Sequence, residues 1–342
     1  MFELNLAALK KYAIVHFSLI LAFVSFAMLH FGREINSDHY TTDLIYLDLV
    51  SNFQILKGWS LPPAPYFFPE MPLIFLFRVL GMSFFTAIYF FGITMMVLLS
   101  YSITLAVSYF QPQAGTPRIF AYSLISVSCL ALLIGPIKAW NLSLPVFDSS
   151  FHSGQLIFGI LWISLLLFKS DDVKRSLIYI TCAIAFLITI SDFLFIVQFG
   201  IPLGVIFLIS WFILRRPDFS KLLFFNLISI GLGYIFIKIF KMNMPEVFGS
   251  IGVLVFATPE RMTKITSEIF KTYFDPREFI FITVLGTIFF YKALTLFSKA
   301  TATGENTNLI SKQSKWKLFG IFQVLSIALS IFFVVVSGYW FG

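Results

Sequence analysis

Long apolar runs alternate with short polar breaks along the whole chain. Nine of these runs read as membrane spans, over about 12–31, 84–109, 118–136, 154–168, 175–190, 195–214, 221–239, 279–297 and 318–341. Crossing the hydrocarbon core of a bilayer takes roughly 20 helical residues. The runs at 154–168 and 175–190 are short, which suits little tilt or locally thinned bilayer. Segment 70–81 (EMPLIFLFRVLG) is apolar but too short to cross, and reads as a half-helix dipping into the membrane. The expected fold class is an all-α, polytopic transmembrane helical bundle with juxtamembrane helices on its outer face. Residues 1–342 are expected to form a single integral membrane domain. The first run is of span length and lacks a small-residue cleavage site, so it reads as a span and not as a cleavable signal.

Composition sharpens this picture. The chain is 58% hydrophobic and 12% charged, and Phe alone supplies 45 residues. Soluble domains carry about 25% charged residues, so this chain lacks the means to cover a water-facing surface. The formal charge of +7 does not imply a nucleic-acid partner. The basic residues sit in short loops between apolar runs, where they set topology. Lys10 and Lys11, Arg118, Lys169, Lys174 and Arg175, Arg215, Arg216 and Lys221, and Lys299, Lys312, Lys315 and Lys317 all fall on one side if nine spans alternate. The N-terminus is then cytoplasmic and the C-terminus outside. Segment 240–278 carries five basic and five acidic residues and casts no vote. Cys129 and Cys182 lie inside apolar runs and read as small buried hydrophobes.

Two outer segments exceed turn length, 32–72 and 240–278. In the second, Thr258 suits a helix cap with Pro259 at the first helical position. Met262, Ile265, Ile269 and Tyr273 then recur at helical spacing, as in an interfacial amphipathic helix. The costly polar residues gather on the outer side. The first outer loop holds Asp38, Asp43, Asp48 and Glu70, the next holds Asp148 and His152, and the turn 191–194 holds Asp192. Asp38, just beyond the first span, suits a general base whose pKa the membrane boundary raises. From position alone the favoured reading is that Asp38 or Ser37 caps a helix starting near Tyr40. Asp43 and Asp48 read as a solvated helix face. The stretch from Gly58 to Glu70 is stiffened by proline and rich in aromatics. Trp59 and Tyr66 there suit an interfacial belt, or stacking against a sugar or a polyprenyl chain. Arg78 either snorkels to the interface or forks onto a phosphate. Asp192 interrupts two apolar helices, and pairing with Arg78 or His152 would hold it. Several carboxylates on one face leave a divalent metal open as a cofactor, although no ligand spacing demands one.

In order, these features resemble the GT-C superfamily of membrane glycosyltransferases, and most closely a group of uncharacterised bacterial GT-C-like membrane proteins. The matching residues are Ser37-Asp38-His39-Tyr40, Leu56-Lys57-Gly58-Trp59 and Pro65-Tyr66-Phe67-Phe68-Pro69-Glu70-Met71-Pro72. His152-Ser153-Gly154 and Ser191-Asp192-Phe193-Leu194-Phe195 complete the set. The resemblance covers roughly residues 12–215. It implies a polyprenyl-phosphate-type lipid-linked sugar donor, catalysis at the non-cytoplasmic face and a bacterial plasma-membrane location. It makes Asp38 the catalytic base. Asp43, His152 and Asp192 become supporting or acceptor-binding residues, and Trp59, Tyr66, Glu70 and Arg78 contacts for lipid phosphate or sugar. Two departures stand out. Many members carry an acidic pair where Asp38 is followed by His39, and many have more spans or a soluble outer domain. These departures keep a second reading open, a non-enzymatic GT-C-like scaffold that binds a partner protein or membrane lipid at the outer face. A transporter ranks third, because the charges cluster at one face and line no path.

Overall fold

A computed structural model describes residues 6–30, 37–51, 61, 67–110, 115–134, 153–169, 175–213, 215, 217–244 and 247. Beyond these it describes 258–260, 262–264, 267, 318–323, 325, 326 and 329. Among the described residues the chain is helical, with no strand. Helix α1 spans Leu6–His30 and α2 spans Ser37–Tyr46, followed by a π turn at Leu47–Ser51. The half-helix α3 is Glu70–Val79, ahead of α4, Phe84–Phe110, and α5, Thr116–Ile134. Next come α6, Ser153–Phe168, and α7, Arg175–Ser191. Helix α8 covers Ile196–Ile213 and has π turns at both ends, and α9 is Pro217–Asn243. The expected span 279–297 lies outside the described residues, as does most of 318–341.

Among the described residues, three helices are long and apolar enough to cross a membrane, namely Phe84–Tyr109, Ile196–Ile213 and Pro217–Asn243. Shorter apolar helices cover Ala13–Ala27, Gly154–Phe168 and Arg175–Ser191. Within each helix the interior backbone N–H groups donate to carbonyls four residues back, the condition for living in hydrocarbon. Serine and threonine side chains do the same within a helix. The Ser100, Thr104 and Ser128 hydroxyls each donate to the carbonyl four residues back.

The chain packs as two compact units. The first comprises Met1–Ile196 and Leu203–Ile251, the second Val197–Pro202 and Gly252–Gly342. Lipid tails are as apolar as leucine, so helix association in the first unit rests on close fit and shared hydrogen bonds. Gly92 of α4 supplies the fit against α1, where a Cβ would overlap the Phe26 ring. Phe26 then sits in a cluster with Ala22, Ile93, Met96 and Leu124. The Tyr89 hydroxyl donates to the Phe23 carbonyl at 2.5 Å and fixes the same pair of helices. Gly233 of α9 plays the matching part against α7, facing Thr189 and the Phe186 carbonyl. Beside it, Trp162 of α6, Thr181 of α7 and Asn226 of α9 form a fully buried polar knot. The Trp162 indole donates to the Thr181 carbonyl at 3.0 Å and to Asn226 Oδ1 at 2.9 Å. The Asn226 amide donates back to Thr181 Oγ1 at 3.2 Å and to the Leu222 carbonyl at 2.9 Å.

In the second unit the Phe199 and Phe322 rings meet at 5.8 Å, and Leu318 is buried. Its helical turn opens as the sequence indicates. Met262 N–H donates to the Thr258 carbonyl at 2.9 Å, and Pro259 is the first helical residue. Ile265, Ile269 and Tyr273 of the expected amphipathic stripe lie outside the described residues.

Candidate functional site at one end of the bundle

Polar groups from separate stretches of the first unit meet where α6 begins and α7 and α9 end. The segment Phe67–Glu70 ties them together. Its Phe68 N–H donates to Ser191 Oγ, the last residue of α7, at 2.8 Å. Glu70 is 2% exposed, and its Oε1 accepts the Gly154 N–H from the first turn of α6 at 3.1 Å. A carboxylate there meets amides that no helical carbonyl satisfies and complements the helix dipole. Gly154 makes this approach feasible, because a Cβ would overlap the Pro69 ring and Glu70 Oε1. The Phe68 and Phe158 rings pack edge to face at 4.9 Å. Beneath them, Ile45, Leu61, Met71 and Val247 form a small apolar cluster. Leu61 N–H donates to the Val247 carbonyl at 2.6 Å and joins the first loop to the chain after α9.

Asp38 stands inside the first turn of α2. The helix begins at Ser37, so neither residue caps a later helix starting near Tyr40. An acid in the first turn is favoured by the same dipole that rewards a cap, which explains the extra turn. The Asp38 side chain lies outside the described residues, as do Trp59, Tyr66, Asp148 and His152.

Asp43 differs from the sequence expectation. It is 7% exposed and is not part of a solvated face. Arg78 Nε approaches its Oδ1 at 2.7 Å, as a charge contact and not as an aligned hydrogen bond. Arg78 Nη1 also donates to the Met82 carbonyl at 2.8 Å, and its guanidinium lies 5.4 Å from the centre of the Tyr46 ring. Burial pushes the Asp43 carboxyl above its ordinary range, and the Arg78 charge pulls it part of the way back. The physical reason is the packing of α2. Tyr40, Asp43 and Tyr46 recur at i, i+3 and i+6, one helical stripe, and that stripe lies on α3 and the start of α4. Tyr40 stacks on Phe84 at 4.7 Å, and Tyr46 meets Phe75 at 5.3 Å. Asp48 is half-buried.

Asp192 sits in the break between α7 and α8, as its sequence context indicates. It is 5% exposed, and its Oδ1 accepts the Leu194 N–H at 2.9 Å. Of its two expected partners, Arg78 is held by Asp43 instead, and His152 lies outside the described residues. A charge that acts with Asp192 is Lys241, near the end of α9. Lys241 belongs to the 240–278 segment, whose balanced charge count concealed it. Among the described residues no three of His, Cys, Asp and Glu gather closely enough to hold a metal ion.

The structure therefore joins the 67–70 stretch to Gly154 and to Ser191, three pieces of the pattern read from the sequence. Ser191 and Gly154 do so through a hydroxyl and a backbone amide, functions that sequence spacing alone does not display. Comparisons with protein families, with curated proteins and with solved structures find no match for this chain.

Proposed function

We propose that this chain is a GT-C-like glycosyltransferase of nine spans in a bacterial plasma membrane, with a cytoplasmic N-terminus. It would move a sugar from a polyprenyl-phosphate-type donor to an acceptor at the non-cytoplasmic face. One observation carries the reading. Of the two short helices that follow α1, the second is fastened at its start to the ends of α6 and α7, through Glu70 to Gly154 and Phe68 to Ser191. This gathers polar groups at one end of the bundle, where a lipid head group would meet side chains without leaving the bilayer.

In this mechanism the Asp38 carboxylate takes the proton of an acceptor hydroxyl. The acceptor oxygen bonds to the anomeric carbon as the bond from that carbon to the lipid phosphate breaks. The phosphate leaves with the electron pair, and a cation at this end of the bundle stabilises it. The candidates are Arg78, whose guanidinium faces Asp43, Tyr46 and the Met82 carbonyl, and Lys241, which acts with Asp192. His152 and Asp192 orient the acceptor, and Trp59 and Tyr66 contact sugar or prenyl chain. The test is Asp38→Asn in protein that keeps its wild-type melting temperature. Release of polyprenyl phosphate from polyprenyl-phosphate glucose and polyprenyl-phosphate mannose is expected to fall by roughly 10²–10⁴-fold, the scale of general base catalysis. Undiminished release from either donor rejects Asp38 as the base.

A second reading draws on a specific observation. Glu70 and Arg78 are both engaged by groups of this same chain. A non-enzymatic scaffold that binds a protein or lipid partner would look the same there. A stoichiometric partner after purification, together with no turnover of either donor, selects that reading.

A further inference from the structure

We infer that Asp43 and Arg78 are positioning residues, which lock α2 onto α3 and thereby set the place of Asp38. The inference rests on the reading of Asp38 as base, and deepens it by removing Arg78 from the list of lipid contacts.

Three observations lead there. First, α2 is docked on more than one side. Along one stripe Tyr40 lies on Phe84, Asp43 on Arg78, and Tyr46 on both Phe75 and Arg78, and elsewhere on the helix Ile45 is buried with Leu61, Met71 and Val247. Docking on these sides fixes the helix whose first turn carries Asp38. Second, Arg78 is held from three directions, by a carboxylate, a ring face and the Met82 carbonyl. A guanidinium placed to receive a phosphate would have to give up its carboxylate first. Third, α3 is itself anchored at its other end, because Glu70 is fixed on the first turn of α6. Asp38 is thus tied to the bundle through α2, the Asp43–Arg78 pair, α3 and Glu70. A shift of about 1 Å in a reacting group costs on the order of a hundredfold in rate, so this chain of contacts bears directly on catalysis.

Asp43→Asn, Arg78→Gln and the double variant, in the full chain in phosphatidylethanolamine–phosphatidylglycerol nanodiscs, separate the alternatives. Polyprenyl-phosphate glucose and polyprenyl-phosphate mannose serve as donors, and melting temperature is read in parallel. A positioning pair predicts that both single variants lower kcat by a similar factor, on the order of tenfold to a hundredfold, with donor KM unchanged. The double variant is then no worse than either single variant, in kcat and in melting temperature alike. Asp43→Glu, which keeps the charge, recovers part of kcat. A raised donor KM in Arg78→Gln alone overturns the inference and returns Arg78 to the phosphate. Additive losses of melting temperature overturn it too, since they show no coupling between the two residues. Failure of the base reading appears differently: Asp38→Asn turns over normally while the melting temperatures of the 43/78 variants still fail to add.

Discussion

A single missing methyl group lets the Glu70 carboxylate reach the amide of Gly154. Gly154→Ala is therefore expected to push Glu70 and Pro69 away from α6 and to lower stability by about 1–3 kcal/mol, the usual range for overpacking. Thermal unfolding in detergent checks this, and an unchanged melting temperature rejects the clash. At Asp43 the consequence concerns pH. Its carboxyl is raised by burial, so the folded state holds that proton more tightly than the unfolded chain does. The associated stability is present in full below the ordinary carboxylate value of about 4. It is lost as pH rises through the higher folded value, because the folded state binds more protons in that window. The melting temperature of the wild type should fall across this window relative to that of Asp43→Asn, which has no such proton. A wild-type curve parallel to the variant's refutes the assignment. The solvated face expected for Asp43 failed for a readable reason. Tyr40 and Tyr46 flank it at helical spacing, so the stripe was present in the sequence, but its partners on α3 were not adjacent in the chain.

At the scale of whole helices, the polar knot of Trp162, Thr181 and Asn226 joins α6, α7 and α9 at a depth where water does not compete. Asn226→Leu removes both the acceptor for the indole and the donor to Thr181 Oγ1. The indole keeps its bond to the Thr181 carbonyl, so the expected loss is about 0.6–2 kcal/mol, in line with interhelical hydrogen bonds in membranes. Trp162→Phe in the Asn226→Leu background should then add less than it does alone, read as melting temperatures in a double-variant cycle. Full additivity disproves the coupling. Most helices were legible from the sequence, because apolar length is a local signal: 84–109, 154–168, 175–190 and 195–214 coincide with helices to within a few residues, and 70–81 forms the expected half-helix. The knot was not legible. Asn226 sits in an apolar run as a lone amide, and its partners lie 64 and 45 residues away. The same holds for Lys241 and Asp192, whose proximity depends on α9 returning to the end of the bundle where α7 finishes.

For the molecule as a whole, helix ends constrain how the chain must thread. Gly154, Ser191 and Leu61 are tied to Glu70, Phe68 and Val247 respectively. The start of α6, the end of α7 and the stretch after α9 therefore share one end of the first unit. Helices α6 and α7 are joined by a short connection at residues 169–174, so their other ends lie together as well. If the chain crosses a membrane in this order, 135–152 are expected on the side of the candidate site and 169–174 on the opposite side. The loop charges suggest a direction to test, with Lys169, Lys174 and Arg175 expected on the cytoplasmic side. The expectation is open to a direct test in a variant whose Cys129 and Cys182 are replaced by Ser. Asn141→Cys should react with a membrane-impermeant maleimide on intact cells, whereas Ser170→Cys should react only after permeabilisation. The reverse pattern would keep the threading but invert the protein, and would place Asp38 and the whole polar cluster in the cytoplasm. Labelling of both positions from outside would break the antiparallel crossing of α6 and α7. In that case the convergence of Glu70, Gly154 and Ser191 would belong to a water-exposed assembly, and the lipid-donor reading would lose its footing.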